Sequence, residues 1–64
     1  MADYTRDVIK KLTDNNCEFV RHGKGDHNIW HSPISKRYIT VDNAINNRHL
    51  ANKVMKQAGI IHKF

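Results

Sequence analysis

One cysteine, one proline and three glycines are all that this 64-residue chain has of those types, and it contains no long apolar run. Lone Cys17 cannot close an internal disulfide, which is compatible with a reducing compartment. The absence of a long apolar stretch excludes a signal-peptide core and a membrane-spanning helix, so a soluble cytoplasmic protein is the expectation. Acidic residues are scarce as well. Six Asp plus Glu face 11 Lys plus Arg, for a formal charge of +5, and such a surplus suits a polyanionic partner. A chain this short buries only about 60% of its unfolded surface. The expectation is therefore one domain over residues 1–64, of modest stability, that burial against a partner would help. Its 39% hydrophobic content, arranged in helical and strand-like patterns, argues against a disordered tail.

Residues 3–15 read as a helix. Tyr4, Val8, Ile9 and Leu12 form one apolar stripe at three- and four-residue spacings, with charged residues elsewhere. Asp3, or alternatively Thr5, is placed to cap its start, and Asn15-Asn16 to end it, because asparagine tolerates the left-handed conformation. Three strands follow, over 17–22, 26–32 and 37–41. Pro33-Ile34-Ser35-Lys36 turns the second strand into the third, and Tyr38 to Val41 have strong strand preference. Residues 42–47 read as polar loop. Asn47 then caps a second helix whose apolar residues are Leu50, Ala51, Val54, Met55 and Ala58, and Gly59 stops it, with Ile60 placed for the accompanying apolar contact.

The order α-β-β-β-α predicts an α+β fold: a three-stranded antiparallel meander with both helices on one face, each helix having a single apolar stripe. This is the topology of double-stranded-RNA-binding domains. One sheet face is left open. Along the second strand His27, Ile29 and His31 share one face and Asn28, Trp30 and Ser32 the other. Trp30 belongs against the helices, because an exposed indole is costly, and His27 then points to the open side.

Chemistry concentrates in Phe19–Trp30. That stretch holds two histidines, two cations, two glycines and the only tryptophan. Gly23 and Gly25 can supply the positive φ angles of a tight connection, which sets Lys24 at the tip and His27 at the start of the next strand. Read as Val-Arg-x-Gly-Lys-Gly-x-His-x-Ile-Trp, residues 20–30 resemble the core motif of the HicA toxins, small mRNA interferases of bacterial toxin–antitoxin pairs. Lys56-Gln57-Ala58-Gly59-Ile60 is similar to that family's helix ending, and Asp7-Val8-Ile9-Lys10-Lys11-Leu12 to its opening, so the resemblance runs from about residue 5 to 60. It implies the same double-stranded-RNA-binding-like fold, an mRNA substrate, and a cognate HicB-like antitoxin covering the face around the motif histidine, here His27. The chain departs from the family at four places: Asn16 for glycine, Cys17 for an aromatic, Asp26 for the serine before the histidine, and Val41-Asp42-Asn43 for Val-Pro-x-His after the third strand.

Metal chemistry finds no ligand set. His27 and His31 are about 13 Å apart along one strand, whereas zinc needs each ligand nitrogen at about 2.0–2.1 Å. His22 and His27 lack a cysteine pair or carboxylate cluster to complete a site, so neither metal nor cofactor is expected. Cys17, with Glu18 rather than a cation beside it, reads as a small buried residue, and Gly-Lys-Gly is too short for a phosphate loop. Metal-free RNA cleavage asks for less. The 2′-hydroxyl is the nucleophile, so the protein has only to move two protons and neutralise the phosphorane. His27 is the candidate acid or base. Arg21, Lys24 and Arg37 are candidates for phosphate contacts, and His22 is a possible second proton-transfer group. A non-catalytic RNA-binding module of the same fold, using cations and shape alone, is the alternative. A third reading is a subunit stabilised only within a protein complex.

Overall fold

The computed structural model describes residues 3–64. Helix α1 (Thr5–Asp14) leads into strands β1 (Glu18–His22), β2 (His27–Ser32) and β3 (Arg37–Asp42), and helix α2 (Arg48–Ala58) follows. The strands form an antiparallel meander in the order β1-β2-β3, and one cluster of buried side chains from both helices and the sheet makes the core. This is the expected α-β-β-β-α arrangement of a double-stranded-RNA-binding-like domain.

Each helix ends as its sequence requires. Asn16 adopts φ 64° after α1; its N–H donates to the Thr13 carbonyl, and the Cys17 N–H donates to that of Leu12. Gly59, at φ 73°, repeats the pattern after α2, with Gly59 donating to Lys56 and Ile60 to Met55. Both are Schellman closures, which satisfy carbonyls that a helix otherwise leaves orphaned. Asn47 Oδ1 accepts from the Leu50 N–H at 2.9 Å and starts α2. At α1 the capping position is Tyr4, yet Asp3 still serves the helix: its carboxylate accepts from the Thr5 N–H at 3.0 Å. That backbone bond is the first cause holding the Asp3 carboxyl below its usual pKa, with the Thr5 side chain and Arg6 adding to it.

Two sequence expectations for the core are corrected. Ile9 belongs to the rim, since Val8 and Leu12 are the buried residues of α1. Residues 42–47 are more than polar loop. Asp42 is the last residue of β3, and Ile45 is 1% exposed. The Ile45 N–H donates to Thr5 Oγ1 and its carbonyl accepts from the Tyr4 N–H, both at 2.8 Å, so the approach to α2 is pinned to the start of α1. At the other end Ser32, fully buried, donates to the Ala58 carbonyl at 2.6 Å and ties β2 to the close of α2.

Candidate active site on the open sheet face

Register decides what the open face carries. In an antiparallel pair, directly opposed residues project to the same side. Trp30 opposes Ile39 and Asn28 opposes Val41, and the burial of Trp30, Ile39 and Val41 marks that side as the helix side. His27 opposite Asp42, Ile29 opposite Thr40 and His31 opposite Tyr38 therefore face away from the helices. Trp30 packs in the core and His27 projects from the open face, as the cost of exposing an indole predicts.

His27 is not alone there. Its Nδ1 lies 2.8 Å from Asp42 Oδ1, with both side chains between one third and one half exposed. A carboxylate can only accept, so the ring nitrogen is the donor, and Nε2 on the far side of the imidazole is left for a substrate. Asp42 is a candidate site residue that the sequence did not bring forward. A signal for it existed. Pro33–Lys36 forms the connection between Ser32 and Arg37, and counting five steps outward from that opposed pair reaches His27 on one strand and Asp42 on the other.

The backbone around the pair is held by two further hydrogen bonds. The Gly23 N–H donates to the His27 carbonyl at 2.7 Å, and the Asn43 N–H to the Asp26 carbonyl at 2.8 Å. Of the two loop glycines only Gly25 takes a positive φ, at 68°. Gly23 is there for space: a Cβ on it would stand 3.2 Å from the His27 carbonyl oxygen. Asp26 does not pair with His27, in keeping with their neighbouring positions at the start of the strand.

The candidate cations are spread around this pair. Lys24 is exposed in the connecting loop. Arg21 lies opposite Ile29, on the His27 side, and its Nη1 approaches the His22 carbonyl at 3.4 Å. Arg37 lies opposite buried Ser32 and so starts toward the helix side, five residues along the hairpin from the His27 pair and roughly 17 Å away. A cleft of about 440 Å³ along the β3 edge nonetheless has His27 and Asp42 in its wall together with Arg37 and, from α2, Lys53 and Gln57.

His22 is not brought to His27. A β-bulge at Val20 inserts one residue into β1, so that Phe19 opposes Trp30 but Arg21 opposes Ile29 and His22 opposes Asn28. Continued without the bulge, the same register would set His22 opposite His27. One extra residue moves every later side chain to the other face. His22 accordingly contacts Asn28 Oδ1 through Nδ1 at 2.8 Å and packs edge-on against Phe19, and Asn28 in turn donates to Asn43 Oδ1. The same bulge delivers Arg21 to the His27 side.

Among the described residues, no three His, Cys, Asp or Glu side chains converge as a metal site. No helix of the described residues is long and apolar enough to cross a membrane. A family model described as HicA toxin of bacterial toxin-antitoxin matches residues 5–60. No curated protein and no solved structure matches the chain.

Proposed function

The chain belongs to the HicA toxin family of bacterial toxin–antitoxin systems, and from that premise we propose that it is a metal-independent endoribonuclease that cleaves mRNA in the cytoplasm. The observation that carries this reading is the His27–Asp42 pair on the sheet face the helices leave open. In the proposed reaction the 2′-hydroxyl attacks the adjacent phosphorus. The P–O5′ bond breaks, leaving a 2′,3′-cyclic phosphate on one fragment and a 5′-hydroxyl on the other. His27 Nε2 exchanges one of the two protons in flight, taking it from the 2′-hydroxyl or giving it to O5′, and water handles the other. Asp42 keeps the proton on Nδ1 and the ring edge toward the RNA. Arg21 and Lys24 are the cations nearest in the chain to receive the phosphate charge. A HicB-type antitoxin would silence the enzyme by covering the face around His27.

The alternative reading, an RNA-binding module without catalysis, draws support from His22, whose place on the other side of the sheet leaves His27 without a second histidine beside it, His31 being four residues along the strand. One experiment separates the two. Purified protein is incubated with RNA in excess EDTA, and product ends are identified. We expect cleavage with cyclic-phosphate termini, and a fall of about 10²–10⁴-fold in His27→Ala. The variant should lose less than about 1 kcal/mol of stability, because the side chain is half exposed. Cleavage that vanishes on chelation would reveal a metal requirement. A folded His27→Ala that cleaves normally would remove the catalytic role.

A further inference from the structure

Tyr38 is 70% exposed, more than the sheet's Phe19 or Trp30, and it is not part of the core cluster. It stands directly opposite His31, with ring centroids 5.1 Å apart at 63°, on the same face as the His27–Asp42 pair and four residues along both strands from it. That spacing is roughly 13 Å. Between the two pairs lie only Ile29 and Thr40. The charges around this aromatic pair are asymmetric. Glu18 opposes His31 from the β1 side, whereas Arg37 precedes Tyr38 and shares with it the cleft wall to which α2 contributes Lys53.

From this arrangement we infer that Tyr38, supported edge-on by His31, is a stacking subsite for one unpaired base of single-stranded RNA, a few nucleotides from the bond cleaved at His27. The inference rests on the ribonuclease reading for its cleavage point, though not for the binding itself. Bases present a π-face whatever their identity, so an exposed ring contributes affinity without sequence readout. A phosphodiester backbone following the β3 edge would meet Arg37 and Lys53, and a base would turn inward over Tyr38. An A-form duplex keeps its bases stacked on one another, and this subsite would gain nothing from it.

The test measures binding rather than cleavage. A short single-stranded RNA with 2′-O-methyl groups throughout cannot be cut by its own 2′-oxygen, and its affinity is determined for the wild type, Tyr38→Ala and Tyr38→Phe. Tyr38→Ala is expected to bind about 5- to 150-fold more weakly, the range of base–aromatic stacking, and Tyr38→Phe to bind like the wild type. The ratio between wild type and Tyr38→Ala should be the same at low and high salt, because stacking releases no counterions. An abasic nucleotide moved along the RNA should locate one position at which wild type and Tyr38→Ala bind equally. Unchanged affinity in Tyr38→Ala, or equal losses in Phe and Ala variants, would overturn the subsite. So would a Tyr38→Ala that keeps its RNA affinity but loses its antitoxin, since the ring would then belong to a protein interface. The ribonuclease reading survives each of these outcomes if His27-dependent cleavage persists. Conversely, a protein that never cleaves can still show the stacking subsite.

Discussion

His27 and Asp42 meet because two strands measured outward from one turn bring them level, and the contact sits at the very end of both strands. The carboxylate has two consequences of opposite sign for RNA. In the proposed reaction it would orient the imidazole, which favours turnover, and would place a negative charge near a phosphate, which weakens binding. Asp42→Asn separates them. The turnover number should fall about 10- to 100-fold, well short of the ~10⁴-fold loss seen when a fully buried triad carboxylate is neutralised, since Asp42 is partly solvated. RNA affinity should hold or improve. A variant that loses affinity and turnover together, or neither, would take Asp42 out of the positioning role. The histidine's side of this pair was legible in the sequence, from period-two alternation and the need to bury Trp30. Its partner was missed because Asp42 reads as loop, although counting outward from the Pro33–Lys36 turn carries β3 through it. His22 was illegible for a different reason: nothing in Phe19-Val20-Arg21 announces a bulge, and the bulge decides which side His22 takes.

At the scale of elements, the two helices share one ending and differ in how much freedom it leaves. Asn16 and Gly59 occupy equivalent left-handed positions, at φ 64° and 73°. Around Gly59 the space is already used: a Cβ there would meet Ile34 Cγ2 at 2.9 Å and the Ser35 nitrogen at 3.4 Å. Gly59→Ala therefore combines left-handed strain of about 1–2 kcal/mol with a contact against the β2–β3 turn. Its cost should exceed that of Asn16→Ala, where strain alone is at stake, and Asn16→Gly should change stability by under about 1 kcal/mol. Chemical denaturation of the three variants measures this, and a Gly59→Ala no less stable than Asn16→Ala would show that the turn yields freely. These endings were readable in advance, since asparagine and glycine announce them and each acts within its own neighbourhood. The same holds for all five elements, whose order and approximate limits come from periodicity and turn residues. Long-range roles were harder. Ile45 looks like an isolated apolar residue in a polar loop, and only its two backbone bonds to the start of α1 explain its burial.

At the scale of the whole molecule, the proposed function gives the +5 charge the role of holding RNA, and the distribution of that charge limits which mode applies. Arg21, Lys24, Arg37 and Lys53 are associated with the open face, its loop and the β3 cleft, whereas Arg6, Lys10 and Lys11 lie on α1 and the remainder on the turn, α2 and the tail. A single strand following β3 can engage at most the first group. Each phosphate neutralised on a single strand contributes about 0.7 to the slope of log affinity against log salt, so four contacts limit the slope to roughly 3. Removing one contributor, as in Lys24→Ala or Arg37→Ala, should lower it by at most about 0.7. An Arg6→Ala or Lys10→Ala change should leave it untouched. The competing mode, a duplex lying across the helices in the manner of a double-stranded-RNA-binding domain, reverses those expectations: the α1 cations would carry the slope and Arg37 would be silent. Titrations with a single-stranded RNA and its duplex at several salt concentrations therefore test the molecule as a whole. A steeper slope for the duplex that depends on α1 would move the binding surface to the helices and leave His27 facing no substrate.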